Sequence, residues 1–140
     1  MTMTVHVDIV SAEKEIYSGL AEMVFASAEL GEVGIAPRHA PFITKLTPGE
    51  VRVKVTETEQ QSFYVSGGLL EVQPHVVTVL ADTAIRAKDI DEAAALDAKA
   101  RAEESLSDKS GKIDYAKAQA ELAEAIMQLR TLEKLRKRGM

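Results

Sequence analysis

The chain contains no cysteine, which excludes disulfides, zinc–thiolate sites, iron–sulfur clusters and thiol catalysis. Nowhere does it approach the ~18 consecutive apolar residues of a membrane-spanning helix. Its first residues, Met1 to Asp8, have neither the basic start nor the unbroken apolar stretch of a secretory signal. We therefore expect a soluble, intracellular protein. Positive charge is also in short supply, with 17 Lys and Arg against 22 Asp and Glu and a net charge of −5. An acidic surface repels phosphate, so no nucleic-acid partner is expected. Catalytic motifs are missing too. His6, His39 and His75 lie far apart, and none belongs to an H-E-x-x-H pair. Ser66-Gly67-Gly68 lacks the G-x-S-x-G pattern of a nucleophile turn and reads as a tight bend. Gly31 to Ile35 lacks the third glycine of a dinucleotide fingerprint and reads as a turn or bulge. His6 and His75 read as structural or surface residues. With no P-loop and no nucleophile–base or metal constellation, neither an enzyme nor a metal site is expected.

What is present divides into two halves. The 140 residues suit one domain, or one domain with an appendage, and 46% are hydrophobic. All four prolines, six of the eight glycines and every aromatic except Tyr115 precede Ala87, whereas twelve alanines lie from Ala87 onward. The first 86 residues carry 11 acids and 6 bases, and the last 54 carry 11 of each. This shift places a boundary between residues 1–86 and 87–140, with a linker at about 81–88.

The first half reads as all-β. Val5, Val7 and Ile9 alternate with His6, Asp8 and Val10, and Val51, Val53 and Val55 with Arg52, Lys54 and Thr56, the period of half-buried strands. Polar Glu57 to Gln61 separates the second run from Ser62 to Val65, and Gln73-Pro74-His75 separates Leu69–Val72 from Val76–Leu80, so both read as hairpins. Such short connections predict antiparallel pairing in a sandwich or flattened barrel.

The second half reads as two helices. Asp89 with Glu92 resembles a capping box opening a helix to about Leu106, mostly alanine with Ile90 and Leu96 as larger anchors. Ser107 to Lys112 reads as the turn, and Asp114 as the N-cap of a second helix to about Lys137. There Ala118, Leu122, Ala125, Leu129 and Leu132 recur at heptad-like spacing, widened by Ile126. The short turn implies an antiparallel hairpin. Since each buried methylene contributes about 0.8 kcal/mol, alanine-rich faces hold it weakly, a hint that it detaches or rearranges. At its end stand Lys134, Arg136, Lys137 and Arg138. These bases either complement the helix dipole or meet an acidic protein partner, and the run by itself does not choose.

Four blocks, VHVDIVSAEKEIYSGLAE, GEVGIAPRHAPFITKLTPGEVRV, YVSGGLLEVQPHVVTVLADTAIRAKDID and AELAEAIMQLR, occur in an order that resembles the epsilon subunits of bacterial F-type ATP synthases. The resemblance covers essentially the whole chain. It implies a ten-stranded antiparallel β-sandwich followed by a two-helix hairpin, without an active site. It also implies a rotor subunit in the central stalk, peripheral at the cytoplasmic face of the bacterial inner membrane through its complex. The implied partners are the gamma subunit, the c-ring, and the alpha and beta subunits. The implied roles are coupling of the catalytic head to the rotor and restraint of ATP hydrolysis by movable C-terminal helices.

By the same resemblance Glu32 and His39 are c-ring contacts, with Arg38 standing where the family has a small residue. Leu122, Ile126, Leu129, Leu132, Lys134, Arg136, Lys137 and Arg138 become inhibitory contacts to the beta and gamma subunits. Many relatives carry I-D-x-x-R-A at the first helix, where it helps bind ATP, but Ala94 occupies the arginine position here. Losing that guanidinium removes a charged hydrogen bond of about 1.5–3 kcal/mol, so tight ATP binding is not expected. Asp91 and Arg130 are the residues left to contact a nucleotide. The competing reading, which the four-block match disfavours, is a free-standing sandwich whose hairpin docks on another partner.

Overall fold

The computed structural model describes residues 2–108 and 114–138. The expected turn at Ser107–Lys112 therefore lies mostly outside the described residues. The chain divides into two compact units, Met1–Arg86 and Ala87–Met140.

The first unit contains β1 (Val5–Ser11), β2 (Glu15–Ala21), β3 (Met23–Ala28), β4 (Gly31–Ile35), β5 (Phe42–Lys54), β6 (Gln60–Val65), β7 (Gly68–Val72), β8 (Val76–Ala81) and β9 (Ala84–Arg86). Their hydrogen-bonded order is β2-β1-β8-β7-β5-β3-β4, with β6 joining β5 to β9. β5 makes this a sandwich. Its first half, Phe42–Leu46, pairs with β7, whereas Gly49–Lys54 pairs with β6. Between these halves the register against β3 jumps from Ala28↔Leu46 to Ala26↔Val51. Pro48, with no amide hydrogen to give a ladder, lies within that jump. The core gathers the inward residues of both layers, including Val7, Ile9, Val24, Val53, Phe63, Leu70 and Val79. The expected hairpins form as β5–β6 and β7–β8.

Two expectations are corrected. The described residues contain nine strands rather than ten, and the sheet is mixed because β1 runs parallel to β8, Val7 opposite Val77. Short connections predict antiparallel neighbours only for consecutive strands, and these two are separated by most of the unit. The stretch expected as a linker also contains β9, which pairs Phe63↔Arg86 and Val65↔Ala84. Arg86 Nη2 donates to Ile16 O at 3.0 Å, and its guanidinium lies 5.4 Å from the Phe63 ring centre.

In the second unit a 3-10 turn (Ala87–Asp89) precedes α1 (Glu92–Ser107) and α2 (Tyr115–Lys137). The cap of α1 is Asp91, whose Oδ1 accepts from Ala94 N at 3.1 Å. Asp89 falls inside the 3-10 turn, so the expected Asp89–Glu92 box is replaced. Asp114 caps α2 as expected, accepting from Lys117 N at 3.1 Å. Buried positions recur every seven residues, Ala95 and Ala102 on α1, Ala118, Ala125 and Leu132 on α2. Ile90 is buried as expected, but Leu96 is 52% exposed. One residue past Ala95, it points about 100° away from the buried stripe. No helix among the described residues is long and apolar enough to cross a membrane.

Candidate interaction sites

The first candidate surface is built on β4 and the turn after it. Glu32 lies on β4 opposite Ser27 of β3, with its carboxylate exposed. One strand further, Arg52 of β5 reaches to within 3.8 Å of Glu32 Oε1 and stacks 4.4 Å from the Phe25 ring centre. Gly34, opposite Phe25, gives that ring room: a Cβ there would lie 3.3 Å from the ring carbons. Glu32 is thus held by an exposed pair of about 0–1 kcal/mol on a firm aromatic base.

Beyond β4 the chain turns, with His39 N donating to Ala36 O at 3.2 Å. Arg38 adopts φ +64°, the one non-glycine residue in the left-handed region among the described residues, and its amide donates to Pro74 O at 2.8 Å. His39 Nδ1 donates to Ala40 O at 2.8 Å, and its ring centre lies 5.4 Å from that of Phe42. The structure therefore sets Glu32 on a strand and Arg38 and His39 on the following turn. Two flanking residues escaped the sequence reading: Leu30, 99% exposed before β4, and Ile43, 67% exposed on β5. An apolar residue in the Glu29-Leu30-Gly31 turn was the available signal, because exposed large apolar groups near a polar loop mark interaction sites.

The second candidate surface is the end of α2. Leu122, Ile126 and Leu129 are half-buried and Leu132 is buried. Thr131 is buried among them, its hydroxyl donating to Met127 O at 2.9 Å, so this polar residue is satisfied within its own helix. In the basic run, Lys137 pairs with Glu133 at 3.1 Å, and Lys134 is exposed. Arg138 caps the helix, its amide donating to Lys134 O at 3.2 Å. Arg136 makes a two-point contact with Glu92 at the start of α1, at 3.0 and 2.5 Å. That contact holds the Glu92 carboxyl below its ordinary value and raises the Arg136 guanidinium, chiefly through the hydrogen bond.

Asp91 and Arg130 are not brought together. The Asp91 carboxylate is occupied by the Ala94 amide, and Arg130 is six residues before Arg136, about 9 Å further along the helix axis. No group of three or more His, Cys, Asp or Glu among the described residues could hold a metal ion. A Ser–His–Asp cluster does occur on β1 and β2, where sequence spacing concealed it. His6 Nε2 lies 3.0 Å from both Asp8 Oδ1 and Ser18 Oγ, and Ser18 donates to Asp8 at 2.7 Å. Nucleophile activation needs the acid on one ring nitrogen and the hydroxyl on the other; here one nitrogen faces both.

Comparison with known proteins fits this division. Residues 4–87 match the family described as ATP synthase, Delta/Epsilon chain, beta-sandwich domain, and residues 88–133 match its long alpha-helix domain. The chain belongs to the ATP synthase delta/epsilon family. It is 70% identical to the ATP synthase epsilon chain of Nitrosococcus oceani over 138 residues, covering 99% of each. It is 68% identical to ATP synthase epsilon chain 1 of Methylococcus capsulatus over 98% of each. Its fold resembles a chain in the Euglena gracilis mitochondrial ATP synthase OSCP/F1/c-ring structure, with TM-score 0.72 and 16% identity, covering 98% of this chain and 82% of that one. A chain of the Tetrahymena thermophila mitochondrial ATP synthase central stalk and c-ring is similar at TM-score 0.61 and 12% identity, over 94% and 98%.

Proposed function

We propose that this chain acts as an epsilon subunit, a non-catalytic rotor component that couples the catalytic head to the c-ring and restrains ATP hydrolysis through its helices. The observation carrying this reading is end-to-end similarity to bacterial epsilon chains, both units included. In this reading the sandwich binds the gamma subunit and sits in the central stalk. Glu32, Arg38 and His39, with Leu30 and Ile43 as apolar neighbours, face the c-ring. The chain is peripheral, held through its complex at the cytoplasmic face of the inner membrane.

The inhibitory element is α2. Its 23 residues make a rod about 35 Å long. Leu122, Ile126, Leu129 and Leu132 pack either on α1 or on the gamma subunit, because Thr131 beside them demands no particular partner. Lys134, Arg136, Lys137 and Arg138 meet acidic groups of the beta subunit, alongside the alpha subunit. Several weak ion pairs at such an interface bias a near-balanced equilibrium. ATP does not set the hairpin's position, since Ala94 replaces the motif arginine and Asp91 is engaged as a cap. Deleting residues 134–140 should raise ATP hydrolysis by the assembled complex, and replacing the four bases with glutamate should raise it further, with salt narrowing the difference. Unchanged hydrolysis in both variants would remove the inhibitory role from this helix end.

A further inference from the structure

At the open end of the helix pair, α1 begins against the last turn of α2. Arg136 Nη1 donates to Glu92 Oε1 at 3.0 Å and Nη2 to Oε2 at 2.5 Å, joining residues 44 apart in the chain. A forked guanidinium–carboxylate contact fixes direction as well as distance, so this exposed pair favours one alignment of the two helices at this point. Much of the remaining seam is small: Ala95, Ala102, Ala118 and Ala125 bury only methyl groups, with Leu132 the one large apolar side chain buried on α2. At the opposite end the chain itself joins the helices. The fork thus sits where separation would begin. Arg136 also belongs to the basic run, and a guanidinium whose fork is filled by Glu92 cannot offer the same fork to a carboxylate elsewhere.

We propose that Glu92 is an internal surrogate for an acidic protein partner, occupying Arg136 while the helices are closed and releasing it when they part. Closure and partner binding then compete for one guanidinium. The proposal rests on the reading that the end of α2 acts on a partner. It predicts opposite outcomes for the two members of the pair. Glu92→Gln loosens the closed pair and frees Arg136, whereas Arg136→Gln loosens the pair and removes the partner contact with it.

Two measurements separate this proposal from the reading it rests on. The first is hydrogen exchange in the full-length chain, following α2 amides 129–136 with Val7 and Val53 of the sheet as internal references. Glu92→Gln should speed exchange in α2 several-fold and leave the sheet unchanged. The exchanged pair Glu92→Arg with Arg136→Glu should restore protection to within about twofold. Unchanged protection in Glu92→Gln, or no recovery in the exchanged pair, overturns the latch. The second is ATP hydrolysis by the assembled complex, which Glu92→Gln should lower by about twofold or more, while Arg136→Gln and the exchanged pair should not lower it. Hydrolysis equal to or above wild type in Glu92→Gln overturns the competition. If removing residues 134–140 also leaves hydrolysis unchanged, the inhibitory reading itself has failed, and the exchange experiment still decides whether the latch exists.

Discussion

Two backbone positions in the sheet unit show what single residues contribute here. Gly68 has φ +135°, and a Cβ there would lie 2.0 Å from the Leu80 carbonyl oxygen. Gly68→Ala therefore has to move backbone rather than a side chain, and we expect a loss of at least about 1–3 kcal/mol in urea unfolding. Arg38, at φ +64°, is strained in the opposite sense: glycine is the residue such a backbone favours. Arg38→Gly should leave stability unchanged or raise it by up to about 1 kcal/mol, so any weakening of the proposed c-ring association in that variant would report the lost side chain rather than a loss of fold. Glu92 contributes to the pH dependence of the helix pair. Its hydrogen bond to Arg136, then the charge of Arg136, hold its carboxyl below the ordinary 4.5. A depressed folded value means the pair's contribution is complete above 4.5 and is lost as pH falls through the folded value. An NMR titration should find the Glu92 midpoint below 4.5, moving back up in Arg136→Gln.

At the scale of elements, strands with strict alternation were legible and those held by remote partners were not. Val5, Val7 and Ile9 announce β1 because one face of it is fully buried. β9 has only three residues and sits within a polar stretch, so its pairing to β6 leaves no local pattern. The parallel β1–β8 ladder is equally silent, since nothing in either strand names its neighbour. In the helices, the lengths and the Asp114 cap were readable, but the α1 cap is Asp91 rather than the expected Asp89, and the buried phase was not readable: alanine is compatible with any face, and Leu96 drew attention to the wrong one. The Glu92–Arg136 fork lies beyond any local window. The small seam has a mechanical consequence. Ala102 is 1% exposed, and Ala102→Leu would force its surroundings to repack at a cost of about 1–3 kcal/mol. A calorimetric scan should show a lowered helix-unit transition with the sheet-unit transition unmoved. Of the candidate site, the sequence resemblance supplied Glu32, Arg38, His39 and the basic run; Leu30, Ile43 and Thr131 became visible only with the fold.

The whole molecule joins two units of different physical character. One is a sheet with a continuous, largely β-branched core; the other is a helix pair held mostly by alanine methyls, a few larger side chains such as Ile90 and Leu132, caps and one forked ion pair. Residues 1–86 should fold without the helices, whereas a chain ending at residue 81 loses β9 and the Arg86–Ile16 bond. Circular dichroism during thermal melting should find the shorter fragment distinctly less stable, and an unfolded 1–86 fragment would contradict the independence of the sheet. Such independence is what the proposed division of labour requires, the helices moving while the sheet stays in place. In the proposed division of labour the helical unit restrains hydrolysis while the sandwich couples. The most direct measurement is ATP hydrolysis by the assembled complex containing either the full chain or one truncated just before Ile90. Hydrolysis should be faster with the truncated chain, and the sandwich should remain associated with the complex; equal hydrolysis, with the truncated chain demonstrably bound, would contradict the proposed restraint.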